Sequence, residues 1–172
     1  MAERPLLDVE EVAAWFAGRV PDEWFDGPVQ IRADRDEIIV TGSLPVPSNA
    51  PPGEDAARLA AASRVAAFRE ASRLDRMRVA DSAQQRWQRH VTWAARCGDE
   101  EVVFTDASVP VMTRLRFAER QVLDTLIDSG VARSRSEALA WCVQQVGRHQ
   151  GEWIGRLREA MTEVERIRAE GP

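Results

Sequence analysis

Residues 109–147 read VPVMTRLRFAERQVLDTLIDSGVARSRSEALAWCVQQVG, and their reading decides the fold. Val109, Val111, Thr113 and Leu115 alternate as a short strand does. Val122, Leu123, Leu126 and Ile127 recur at helical spacing and give one apolar stripe. Gly130 supplies the left-handed residue that closes such a helix, and Val131 is placed to fold back onto it. Ser134 and Glu137 have the spacing of a capping box, in which a hydroxyl takes the N3 amide and the carboxylate reaches back. Leu139, Cys142, Val143 and Val146 form the stripe of a second helix. A lone strand followed by two helices has no partner strand of its own here, so two chains are expected to pair.

This order of motifs resembles the ribbon-helix-helix family of DNA-binding repressors. Thr113, Arg114 and Leu115 match the end of that family's strand, and Leu123, Asp124, Leu126 and Ile127 its first helix. Gly130 matches the end of that helix. Ser134, Arg135, Ser136, Glu137, Ala138 and Leu139 match the start of the second. The resemblance covers about a quarter of the chain. It implies a homodimeric DNA-binding protein that regulates transcription, with two antiparallel strands in the major groove. Val111, Thr113 and Leu115 would point inward, and Pro110, Met112 and Arg114 outward, with Arg116 at the strand exit. Arg114 is the base-reading residue, because its fork fits the O6 and N7 acceptors of guanine. Ser134 to Ser136 present helix-terminal amides to a backbone phosphate, with Arg133 and Arg135 adding charge. The expected DNA-binding set is Met112, Arg114, Arg116, Arg133, Ser134, Arg135 and Ser136.

The chain departs from the family at Pro110 and Met112, where readers usually carry polar groups. Met112 has only a thymine methyl to offer, and Pro110 lacks an amide for the ribbon. A second reading therefore stays open. In it the fold serves dimerisation alone, or holds a protein partner in the manner of an antitoxin or scaffold.

Charge bears on that choice. The chain carries 23 basic residues against 28 acidic ones, net -5, whereas a simple DNA binder is more often basic. Residues 1–53 hold ten acids and four Arg; residues 108–172 hold ten Arg and nine acids. The acidic N-terminal part is a solvated surface, or tunes DNA affinity down, or meets a basic partner. Every basic residue is Arg, Ala is abundant and Tyr is absent, a composition typical of GC-rich coding. The Arg excess is therefore not evidence of phosphate binding.

Outside 108–147 the chain divides into residues 1–41, 42–53, 54–107 and 148–172. Asp8 to Arg19 predicts a helix, with Asp8 as cap, Glu11 at N3, and Val12, Trp15 and Phe16 on one face. Val29–Arg32 and Ile38–Thr41 predict a hairpin, and Trp24 and Phe25 anchor its core or form a peptide-binding patch. Residues 42–53 hold four of the nine prolines and predict a linker. Glu54 to about Arg89, without Gly or Pro, predicts one long helix. Val65, Phe68, Val79, Ala83 and Trp87 form its apolar stripe. Arg69, Arg73 and Arg76 fall on another stripe beside Glu70 and Asp75, a salt-bridged solvated face or a row tracking a phosphate backbone. His90–Arg96 and Glu101–Thr105 predict a hairpin around Gly98 and Asp99, bracing the ribbon or linking it to the N-terminal part. Glu152 to about Ala169 predicts a last helix carrying Ile154, Leu157, Met161 and Val164. It forms a dimer or coiled-coil seam, or packs back on its own chain.

The fold class expected is thus α+β, mainly helical: a ribbon-helix-helix C-terminal unit after an N-terminal region of helix, hairpins and long helix. No nucleophile, P-loop or zinc-protease motif occurs, so an enzyme is not expected, nor a cofactor. His90, Cys97 and a carboxylate lack metal-ligand spacing, and Cys142 lies on an apolar stripe. No apolar run approaches a membrane span, and the N-terminus lacks a signal-peptide core, so the chain is expected to stay in the cytoplasm. Expected partners are a second copy and DNA, with a protein partner possible at the N-terminal half and no membrane.

Overall fold

A computed structural model describes residues 5–105 and 107–170. Residues 1–4, 106, 171 and 172 lie outside it. These include the first residues of the expected segment 1–41 and the last two residues grouped with the final helix. The protein is α+β, with six helices and one four-stranded sheet among the described residues. It divides between Pro110 and Val111 into two compact units.

The first unit opens with α1 (Val9–Ala17). Asp8 caps it as expected, its carboxylate accepting from the amides of Glu10 and Glu11. Strands β1 (Gln30–Ala33) and β2 (Glu37–Ser43) follow as an antiparallel hairpin. Asp34 shapes its turn by accepting from the amides of Asp36 and Glu37 at 2.8 Å. The expected linker is shorter than its composition suggests. Gly42 and Ser43 belong to β2, and Leu44 is buried and donates its amide to the Arg96 carbonyl at 2.7 Å. Gly42 is required there, because a Cβ at this position would lie 2.3 Å from the Phe25 ring.

The single long helix predicted from Glu54 is two helices, α2 (Glu54–Ala71) and α3 (Arg73–Trp87). They meet at Ser72, which is buried. Its hydroxyl donates to the Phe68 carbonyl at 2.6 Å, a back-bond of the kind that bends helices. Absence of Gly and Pro therefore did not guarantee a straight rod. α3 ends on Gln88, whose φ of 55° is left-handed. The chain then enters β3 (His90–Cys97), which turns through Gly98 (φ 59°) into β4 (Glu100–Val103).

β3 pairs parallel to β2 and antiparallel to β4, giving the order β1-β2-β3-β4. The α2–α3 pair is the crossover that a parallel pairing demands. The segments read separately as 1–41 and 54–107 thus share one sheet, with one strand of each hairpin, β2 and β3, at its centre. Alternation puts Ile38, Val40, Val91, Trp93, Ala95 and Cys97 on one face, where they cluster with Val12 and Phe16 of α1, Ala61 and Val65 of α2, and Ala83 of α3. Trp24 and Phe25 pack against this core, as expected of anchors. The opposite face is mixed, with polar and charged groups beside Ile39, Ala94 and Val103. Arg32, Arg96 and Glu101 join across it, with Glu101 bonded to Arg32 at 3.0 Å and to Arg96 at 2.8 Å.

The second unit contains α4 (Phe117–Asp128), α5 (Arg135–His149) and α6 (Gly151–Glu170). Its buried core is small: Leu123, Ala132 and Ala138, with Leu115, Leu126, Ile127, Leu139 and Cys142 partly covered. No described helix is long and apolar enough to cross a membrane.

Candidate nucleic-acid interface

The local chemistry of the second unit builds its surface. Glu119 closes the start of α4 by accepting from the Arg116 amide. Gly130, at φ 77°, turns the chain out of α4, and the amides of Gly130 and Val131 return to the carbonyls of Ile127 and Leu126 at 2.9 and 3.0 Å. Ser134 then caps α5, its hydroxyl accepting from the Glu137 amide at 3.2 Å. The Glu137 carboxylate reaches one residue past the cap and accepts from the Arg133 amide at 2.8 Å.

The residues expected to be the strand differ from that expectation within one chain. Residues 107–116 carry neither helix nor strand. A strand is defined by a hydrogen-bonded neighbour, and the four-stranded sheet is complete without this segment. Burial within the single chain does not alternate along the segment. Leu115 packs against the helical core, but Val111 is 82% exposed and Thr113 is exposed. Val122, read as part of the inner stripe of α4, is also exposed, as are Val131, Val143 and Val146. The two helices bury fewer of their apolar positions than the periodicity implied.

Met112 is 98% exposed, and Arg114 and Arg116 are exposed beside it. Arg133, Ser134, Arg135 and Ser136 all lie on the surface at the start of α5. An open groove of about 370 Å³ brings Met112, beside Thr113, together with Arg135 and Ser136 of the expected set. Leu123 and Leu139 form part of its lining. Arg114, Arg116, Arg133 and Ser134 do not line it.

Sequence reasoning missed two residues here. Arg120 also lines the groove and donates to the Leu115 carbonyl at 2.8 Å, fixing the segment before α4. Asp124 holds Arg135 through two hydrogen bonds of 2.8 Å. Hydrogen bonding from Arg135 keeps the Asp124 carboxyl below its ordinary range, helped by the charges of Arg135 and Arg120. The same contact raises Arg135. Their eleven-residue separation hid this pair from any single-helix spacing rule. Arg133, by contrast, has no ion pair among the described residues.

The fold and this surface define a class: a helix-covered four-stranded sheet followed by a small helical unit with an exposed polar and apolar groove. The chain belongs to the family whose models match it in two parts. Residues 10–103 match the Rv1265-like protein, N-terminal domain, and residues 116–168 match the Mb1296 C-terminal domain. Relatives include the uncharacterized proteins Mb1296 of Mycobacterium bovis and Rv1265 of Mycobacterium tuberculosis H37Rv. Each is 52% identical over 171 residues, which cover 99% of this chain and 74% of theirs. No solved structure matches. The break between the two family segments falls at residues 104–115, where the structural division also lies.

Proposed function

We propose that the chain is a homodimeric DNA-binding protein of the ribbon-helix-helix kind, acting as a transcriptional regulator. The observation that carries this reading is the incompleteness of the second unit. Among the described residues its core buries only Leu123, Ala132 and Ala138, while Val111, Val122, Val143 and Val146 stay exposed. A unit of about 60 residues with so little core is marginal alone and gains by oligomerising. Pairing residues 109–115 between two copies would satisfy their backbone groups and cover Val111. Met112 and Arg114 would then face outward together, with the start of α5 on either side to receive phosphates.

A dimerisation scaffold, or an antitoxin-like protein-binding module, is the second reading. It is favoured by the Arg135–Asp124 pair, which occupies one of the expected phosphate contacts. Titration of the full chain with genomic duplex fragments at ~50 and ~200 mM salt separates the two. Binding that weakens steeply with salt is expected. A dimer that ignores DNA at the lower salt would leave the scaffold reading standing.

A further inference from the structure

The helical face read from sequence as solvated and salt-bridged is neither at its centre. Arg76 is 7% exposed, yet it has no carboxylate partner among the described residues. Its guanidinium donates to neutral acceptors instead: Nε to the Ser72 hydroxyl at 2.9 Å and Nη2 to the Arg69 carbonyl at 2.6 Å. Arg69 donates to the Phe104 carbonyl at 3.1 Å. The Arg76 guanidinium carbon lies 4.6 Å from the Phe104 ring centre, and that of Arg69 5.7 Å. Asp75, expected to neutralise this row, is paired with Arg78. Arg69, Arg73 and Arg76 all line one open cavity of about 330 Å³, with Glu70, Phe104 and Thr105.

Burying a charged guanidinium without a counter-ion is costly, and arginine does not escape the cost by losing its proton. Burial, and then the charge of Arg69, push Arg76 below its ordinary value, and Glu70 offsets this only in part. Three guanidiniums against one carboxylate leave an excess of two positive charges around the cavity. A phosphate group carries about -1.5 to -2 at neutral pH and several strong acceptor oxygens, whereas a carboxylate carries one charge. Arginine's planar fork matches phosphate oxygens in pairs.

We infer that Arg69, Arg73 and Arg76 form a binding site for a small phosphate-bearing ligand in the first unit, with Phe104 as its apolar wall. Arg76 is the fixed, buried cation, and Ser72 holds its orientation. Arg73 is exposed at the rim and makes no hydrogen bond or ion pair among the described residues, so its donors are available to the ligand. Glu70, the one carboxylate in the lining, opposes an anion by like-charge repulsion and so lowers the affinity of the site. The site lies on the bend between α2 and α3, so a ligand here would bridge the two helices through Arg69 and Arg76.

The test is calorimetric titration of the full chain with three probes: inorganic phosphate, phenyl phosphate and benzoate. Saturable binding of at least one phosphate probe is expected, with benzoate at least about tenfold weaker. Tighter binding of inorganic phosphate assigns free phosphate as the ligand; tighter binding of phenyl phosphate assigns an ester. Arg73→Ala, at an exposed position, should fold normally and weaken the phosphate probe at least about tenfold. Glu70→Gln should tighten it. No heat with either phosphate probe overturns the proposal, and so does unchanged affinity in Arg73→Ala. If Arg73→Ala weakens duplex DNA binding while neither phosphate probe binds, the cluster serves a nucleic-acid backbone and the small-ligand site is rejected.

Discussion

Arg135 and Asp124 are joined by two hydrogen bonds, Nε to Oδ1 and Nη2 to Oδ2, each 2.8 Å long. The pair links the first turn of α5 to α4 and neutralises one of the two arginines that flank the Ser134 cap. Asp124→Asn should therefore release Arg135 toward phosphate. DNA binding is expected to tighten, and the slope of log affinity against log salt to steepen by about one. Titrations at several salt concentrations measure this. An unchanged slope would place Arg135 outside the phosphate contacts.

Leu123 is the largest side chain in the buried core of the second unit. Leu123→Ala should cost about 2–5 kcal/mol by lost transfer energy and cavity formation. That is comparable to the whole stability of so small a unit. The expected result is loss of helical signal and of the proposed dimer in sedimentation, with the first unit still folded. A sedimentation coefficient equal to wild type would remove the second unit from the dimer interface.

The sequence showed most of what local rules govern. Asp8, Gly98, Gly130 and Ser134 each sit where a cap or turn needs them, because those preferences depend on a few neighbouring backbone groups. The parallel pairing of β2 with β3 was not legible, since each partner lies 53 positions from the other and the Pro-rich segment looked like a boundary. Ser72 looked like an ordinary helix residue, and its bend depends on a buried network with Phe68 and Arg76. At the candidate interface, positions were legible but pairing was not. Arg135 read as a free cation because Asp124 lies on another helix. Arg76 read as solvated because periodicity gives a face without saying what packs over it.

Gly42 tests the packing of the first unit. Gly42→Ala places a methyl group against the Phe25 ring, and three ring carbons would lie within 2.4 Å of it. Phe25 packs in turn on Trp24 and Phe68 and has little room to move. A loss of about 1–3 kcal/mol is expected, the usual cost of overpacking. A urea midpoint unchanged from wild type would mean that Phe25 swings aside freely.

Glu101 gives the sheet a pH dependence. Hydrogen bonding from Arg96 holds its carboxyl below the ordinary range, with the charges of Arg32 and Arg96 adding to the effect. A carboxyl lowered on folding contributes stability above its unfolded pKa, near 4.3, and loses that contribution as pH falls through the lower folded value. The side chain is 29% exposed, so solvent screening keeps the effect at about 0.5–1 kcal/mol. Glu101→Gln should thus lower stability slightly at pH 7 and flatten its decline below about pH 4.3. Parallel decline in both proteins would assign the acid sensitivity to other carboxylates.

Arg114 decides between the two readings of the second unit. It is exposed between Thr113 and Leu115 and belongs to no ion pair among the described residues. If residues 109–115 of two copies pair and enter the major groove, Arg114→Ala removes a bidentate contact to guanine. Affinity for a preferred duplex should fall by about 1–3 kcal/mol, while affinity for unrelated duplex changes far less. The dimer should survive, because backbone pairing and Leu123 hold it rather than this side chain. Equal losses on all duplexes would make Arg114 a phosphate contact. No loss on any duplex, with the dimer intact, would show that the paired segments join two copies and read nothing.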